Sequence, residues 1–274
     1  MKKSALLLFL ILFKIVSAQK TSISDLPKPF VFGVIHQLFS AQLNEIRGLN
    51  IYLPEEYYTD SLRKFPVIYL LDGSANEDYP HIAGLTQFMS MYELMNPAII
   101  VGIANVDRKR DFTFPTTIEK DKKDFPTTGG SAKFIAFIET ELIPYINKTL
   151  RTSGDETIIG QSLGGLLATE VLLRKPDLFD SYIIVSPSLW WDNESLLKQA
   201  GQLLAAHPNL NKKIYVGVGK EGRVMFRDAK GLYRLLKKKL PFSKVYFDHL
   251  PKETHATILH RCVYNALEVM NGKK

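Results

Sequence analysis

The fold turns on the stretch Glu156-Thr157-Ile158-Ile159-Gly160-Gln161-Ser162-Leu163-Gly164-Gly165-Leu166-Leu167-Ala168-Thr169-Glu170-Val171-Leu172-Leu173-Arg174. Thr157–Gly160 is a short apolar run suited to a buried strand, and Leu163–Arg174 has the length of a helix. Between them lies Gly160-Gln161-Ser162-Leu163-Gly164, followed at once by Gly165. A bare G-x-S-x-G is common by chance. Held between strand and helix it reads as a nucleophile elbow, a tight strained turn whose glycines keep flanking side chains off neighbouring backbone. The turn projects the serine hydroxyl above the sheet at a helix N-terminus, where developing negative charge is favoured. Ser162 is therefore the expected nucleophile.

The segments on either side fit the same architecture. Val31–Leu43 and Ile46–Leu53 read as extended. Phe65–Gly73 is a continuous apolar run stopped by Asp72-Gly73, the pattern of a strand buried on both faces of a parallel sheet. Pro97–Ala104, Tyr182–Ser186, Lys213–Gly219 and Lys244–Leu250 repeat it. Amphipathic stretches at Ala132–Leu150, Glu194–Ala206, Phe226–Lys239 and Ala256–Met270 alternate with these strands. This implies βαβ units and a mostly parallel, doubly wound α/β sheet flanked by helices. Asn105–Gly130 lacks periodicity, and a loop that long is either functional or mobile. It follows a central strand, so it belongs at the carboxyl edge of the sheet, where open α/β folds bind ligands.

A serine nucleophile needs a base. In this architecture the order along the chain is serine, acid, histidine. His36 and His81 precede the serine. His207 lies at a helix end, His249 within a strand, and His260 inside the last helix. His255 alone falls in the loop between the last strand and the last helix, and is the expected base. Glu221, directly after the strand Lys213–Gly219, needs the least reach to orient it. Asp228 is the second candidate and Asp248 the third, and a serine–histidine dyad without a strong acid stays open. The oxyanion donors are expected to be the backbone N–H of Leu163 and one from the loop after Val67–Leu71, at Ser74 or Gly73. Trp190 and Trp191 follow a strand and are candidates for a pocket wall, with core packing as the alternative. Arg108 and Arg110 in the long loop are candidates for binding a substrate carboxylate or phosphate, with local pairing to Asp107 or Asp111 as the alternative.

Composition bounds the rest. The chain has 274 residues, 46% of them apolar, enough for one large core. Lys2 and Lys3, the apolar run Ala5–Phe13 and Val16-Ser17-Ala18 have the order of a signal peptide, leaving a single domain from Gln19 to Lys274. The apolar run is about half the ~20 residues a membrane span requires, so no membrane anchor is expected. Removing that segment takes three lysines and no acids, and the formal charge falls from +7 to +4. Such mild basicity does not call for nucleic acid, and Lys237–Lys239 reads as a solvated helix end. Cys262 is the one cysteine, which excludes an internal disulfide. No metal-ligand spacing is present, so neither metal nor cofactor is expected.

The runs IVGIANVDRKRDFTFP, FIETELIPYINKTLRT and IIGQSLGGLLATEVLLRKPDLFDSYIIVSPSLWWDN resemble the "Putative esterase" family of α/β hydrolases. The likeness extends upstream to FSAQLNEIRGLNIYLPEEY and FPVIYLLDG and covers about residues 36–270. Relatives in that family include siderophore trilactone esterases, S-formylglutathione hydrolases, feruloyl esterases and mycolyltransferases, and SPSLWWD looks most like the siderophore-esterase branch. The resemblance implies an α/β-hydrolase fold, Ser162 as nucleophile and His255 as base, and leaves the acid open. Together with the signal-peptide pattern it points to a secreted or periplasmic serine esterase acting on a small-molecule ester. An acyltransferase on the same nucleophile, and a binding protein on an inactive scaffold, remain as alternatives. Oligomeric state is not legible. Protein from its native host should begin close to Gln19 by N-terminal sequencing, and an unprocessed Met1 terminus would overturn the export reading.

Overall fold

The polar edges of the strands and the apolar residues between them resolve into one sheet. The computed structural model describes residues 29–272, so the segment read as a signal peptide lies outside the described residues. The strands are β1 (Val34–Ser40), β2 (Glu45–Tyr52), β3 (Phe65–Leu70), β4 (Ile99–Ile103), β5 (Thr152–Gln161), β6 (Ser181–Val185), β7 (Lys213–Gly219) and β8 (Lys244–Leu250). They lie in the order β1-β2-β4-β3-β5-β6-β7-β8. β1 and β2 form an antiparallel hairpin, β2 runs antiparallel to β4, and every other pairing is parallel.

The continuous apolar runs are explained by burial on both faces. In β3, Phe65, Val67 and Tyr69 enter one core cluster while Ile68 and Leu70 enter the other. β7 divides in the same way, with Ile214, Val216 and Val218 on one side and Tyr215 opposite. The helices are α1 (Glu56–Thr59), α2 (Tyr79–Met91), α3 (Arg108–Asp111), α4 (Glu119–Asp124), α5 (Ser131–Phe137), α6 (Ile143–Thr149), α7 (Leu163–Arg174), α8 (Trp191–Ala205), α9 (Arg223–Lys239) and α10 (Ile258–Asn271). Residues of α5 to α9 belong to the first cluster, and those of α2 and α10 to the second.

Three departures from the sequence expectation have physical causes. The stretch expected as one helix over Ala132–Leu150 is α5 and α6 joined by a π-helical turn, Ile138–Leu142. Pro144 follows with one residue between; it has no N–H to donate and crowds the preceding turn, and the wider turn relieves that conflict. α2 was not expected. Its buried Tyr79, Ile82, Ala83, Thr86 and Met89 have helical spacing, but exposed Phe88 and Met91 blur the stripe.

The third departure is the segment Asn105–Gly130. It is folded around α3 and α4 and anchored by buried Asp111, Phe112 and Thr113. Arg47 and Asp111 are both fully buried and joined at 2.8 Å. Arg47 also reaches Glu45 at 2.7 Å and the Ala104 carbonyl at 3.0 Å. Arg110 closes the group, bonding Asp111 and Glu45, each at 2.7 Å. Of the two readings of Arg110, local pairing to Asp111 is the one found and substrate binding is corrected: its guanidinium is committed to this internal network. Breaking a buried pair strands the remaining charge. Asp111→Ala should lower the unfolding free energy by about 3 kcal/mol in urea denaturation, and a loss below about 1 kcal/mol would show that the network is not what anchors the loop.

Candidate active site

At the end of β5 the chain turns into α7 through Ser162, which has φ 60° and ψ −118°. A non-glycine residue in that region is strained and persists only where its surroundings dictate it. Here they do. The Ser162 N–H donates to the Val185 carbonyl at 3.0 Å, and its carbonyl accepts from Leu166 N at 2.9 Å and Ser188 N at 3.0 Å. A Cβ on Gly160 would lie 2.3 Å from the Gly164 oxygen, and one on Gly165 2.9 Å from Pro187 Cα. Gly164 is less constrained, since a Cβ there would meet nothing closer than 3.4 Å.

Two loops approach this turn from the carboxyl edge of the sheet. Glu221 follows β7, and its side chain is only 4% exposed. His255 lies in the β8–α10 loop with its side chain 46% exposed. His255 Nδ1 is 2.5 Å from Glu221 Oε2. The other oxygen, Oε1, accepts from the Ser186 hydroxyl at 2.5 Å and from Gly219 N–H at 3.0 Å. Burial pushes this carboxyl up, but the bonds from His255, Ser186 and Gly219 outweigh burial and hold it below its ordinary value of 4.5. The loops are tied to each other and to the elbow. Lys220 N donates to the Glu253 carbonyl at 2.8 Å, and the Gln161 side-chain amide donates to the His255 carbonyl.

The competing carboxylates are elsewhere. Asp228 is buried on α9, bonded to Arg227 at 2.8 Å. Asp248 accepts from the Tyr215 hydroxyl at 2.6 Å and the Asn265 amide at 2.8 Å.

Ser162 and His255 line two adjoining cavities. One, about 280 Å³, is walled by Ser188, Trp190, Lys220, Glu221 and Met225. The second, about 430 Å³, is walled by Asp72, Glu77, Asp78, Arg108, Gln161 and Ala256. A third cavity, about 450 Å³, opens at the amino ends of the strands among Asp155, Glu156, Asp180, Lys212 and Lys244. Doubly wound sheets bind ligands at the opposite, carboxyl edge, and this cavity brings no hydroxyl to an imidazole. The paired cavities around Ser162 are therefore the candidate site.

Two further expectations need correction. Trp191 is fully buried, with its indole N–H donating to the Phe114 carbonyl at 2.9 Å, so it packs the core and is no pocket wall. The Gly73 N–H donates to the Ile103 carbonyl at 3.0 Å, which removes it as an oxyanion donor. The Ser74 N–H donates to Glu77 Oε2 at 3.3 Å and is engaged in the same way, whereas Leu163 opens α7 with its N–H in the unpaired first turn.

Arg108 borders the second cavity, but its fork is engaged by Asp72 at 2.7 and 2.8 Å. Asn105 joins the same carboxylate at 2.7 Å. Asp78 beside them is pushed up to about 6 by burial first, then by Asp72 and Glu77, against the pull of Arg108. Asp72, Asn105, Ser186 and Ser188 were not singled out from sequence. For Ser186 and Ser188 the available signal was their position at the carboxyl end of β6.

Eight strands in this order, with a left-handed serine at the β5–α7 turn, define an α/β-hydrolase fold. The model of the family described as "Putative esterase" matches residues 40–235, and the chain belongs to that family. It is 33% identical over 189 residues to the ferri-bacillibactin esterase BesA of Bacillus subtilis, a match spanning 63% of this chain and 65% of BesA. It is 37% identical over 92 residues to the siderophore enterobactin esterase of Emericella nidulans, spanning 30% of each. The chain thus matches less than two thirds of the length of either curated relative. Among solved structures, an IroE-like serine hydrolase from Shewanella oneidensis superposes with a TM-score of 0.80 at 29% identity, over 87% of this chain and 80% of that one.

The depressed Glu221 carboxyl has a consequence for stability. A group whose folded value lies below its unfolded one contributes stability above the unfolded value and loses it as pH falls through the folded one. Wild type should therefore melt higher than Glu221→Gln at pH 6.5, with the gap closing as pH falls from 4.5 through the folded value. A gap that stays constant to pH 3 would show that the carboxylate charge is not what holds His255.

Proposed function

We propose that the protein is an exported serine esterase that cleaves carboxylic esters through an acyl-enzyme on Ser162. The observation that carries this reading is the 2.5 Å contact between Glu221 and His255, made beside the left-handed Ser162 turn in one cleft. In this reading Glu221 accepts from His255 Nδ1, which leaves Nε2 free to take the serine proton. The Ser162 oxygen attacks the ester carbonyl and its proton passes to His255. The tetrahedral oxyanion is held by the N–H of Leu163 at the start of α7. Collapse expels the alcohol, which takes its proton from His255, and water then repeats the sequence to release the acid.

The two cavities flanking Ser162 provide separate places for the acyl and alcohol parts, with Trp190 and Met225 on one side and Arg108 on the other. The names of the relatives favour a siderophore-type lactone as substrate. Export rests on the Lys2–Ala18 pattern alone.

Ser162→Ala should fold and lose at least ~10³-fold in kcat on any ester hydrolysed, with His255→Ala comparably severe. Glu221→Gln should lower kcat substantially, and Asp228→Asn far less. A panel of acyl esters of increasing chain length, with a ferric siderophore lactone and a feruloylated sugar, identifies the substrate. Wild-type rates in Ser162→Ala, or no labelling of Ser162 by a fluorophosphonate, would refute the reading.

A further inference from the structure

Glu221 lies in a loop, and a loop carboxylate holds one rotamer only if its oxygens are otherwise engaged. Both oxygens are. Oε2 meets His255, while Oε1 receives two donors, the Gly219 N–H and the Ser186 hydroxyl. Gly219 N–H is backbone that any residue supplies. Ser186 is the one side chain bonded to that oxygen among the described residues, and it is fully buried.

Its backbone is unusual. Ser186 has φ 42°, a left-handed conformation that costs a non-glycine residue of order 1 kcal/mol and suits glycine better. Its N–H is pinned to the Gly217 carbonyl at 2.8 Å, continuing the β6–β7 ladder, and Pro187 follows. A serine at a position where glycine fits the backbone better points to a use for the hydroxyl.

We propose that Ser186 is a positioning residue of the hydrolytic site: by occupying Glu221 Oε1 it turns Oε2 to His255 Nδ1 and so fixes the imidazole toward Ser162. This inference rests on the Ser162–His255–Glu221 reading above and adds a residue that acts through Glu221 without touching substrate. The same bond helps keep Glu221 ionised, since a carboxylate that accepts more hydrogen bonds holds its proton less tightly.

Ser186→Gly separates this role from a structural one. Glycine removes the hydroxyl and relieves the left-handed backbone, so the melting temperature should fall little. A positioning role nevertheless predicts a drop in kcat of about tenfold or more, with KM nearly unchanged, the size of one lost charge-assisted hydrogen bond. In a Glu221→Gln background the same substitution should cost almost nothing further, because the two residues act as one unit. If Ser186→Gly is poorly folded, Ser186→Ala, which keeps Cβ, takes its place in the same cycle. Near-wild-type kcat in either variant, or a full additional loss on top of Glu221→Gln, overturns the assignment while Ser162 and His255 stand. A wild-type rate in Glu221→Gln itself would instead show that the underlying triad is a dyad, and Ser186 would then have nothing to position.

Discussion

At Gly160 and Gly165 the start of α7 lies against β5 and the end of β6 with no space for a Cβ between them, and the site depends on that contact. A Cβ at Gly160 would meet the Gly164 carbonyl, and one at Gly165 would meet Val185 and Pro187. Because the approach is this close, the chain has one way to pass from strand to helix, through a left-handed Ser162. The strain at that residue is held by three backbone hydrogen bonds to β6, α7 and the turn after β6. A hydroxyl placed this way has little freedom to retreat, and it stands beside the amino end of a helix whose first N–H groups are unpaired.

The remaining parts of the site are brought to that hydroxyl by loops, and the loops are braced from below. Gly219 is crowded by the Glu253 carbonyl and by Glu221 itself, so the end of β7 and the β8–α10 loop pack as one piece. The Gln161 amide ties the His255 backbone to the residue before Ser162. Ser186 joins Glu221 to the end of β6. The Ser186–Glu221 and Lys220–Glu253 bonds link the ends of neighbouring strands, and Gln161–His255 spans from β5 to the loop after β8, so the rigidity of the parallel sheet is passed to side chains that lie beyond it.

On the other side of Ser162 the electrostatics are of a different kind. Asp72, Glu77, Asp78 and Arg108 line the second cavity together, and the guanidinium is committed to Asp72. Asp72 has a left-handed backbone and marks the start of the loop that carries Ser74. Arg108 and Asn105 hold that loop from the segment after β4, while Arg47, Asp111 and Arg110 anchor the same segment from beneath. The long polar stretch without periodicity is therefore ordered by charge pairing together with the burial of Phe112 and Phe114 in the core.

The sequence by itself determined what depends on neighbours along the chain. Apolar runs bounded by turns marked β3, β4, β7 and β8, and the glycines around Ser162 marked the elbow, because both signals are short-range and steric. Glu221 and His255 were legible as candidates since each directly follows a strand whose place in the order is fixed. Pairings across the sheet were not legible, because they join residues distant in sequence with no local trace. Glu221 meets His255 because both lie in loops that leave the paired ends of β7 and β8, whereas Asp228 lies on α9 and Asp248 within β8. Adjacent tryptophans were divided by the tertiary structure alone, Trp190 to the cavity and Trp191 to the core. The same holds for the arginines, Arg108 at the cleft and Arg110 in the buried network, because a charge of that type takes whichever partner the packed chain brings within reach.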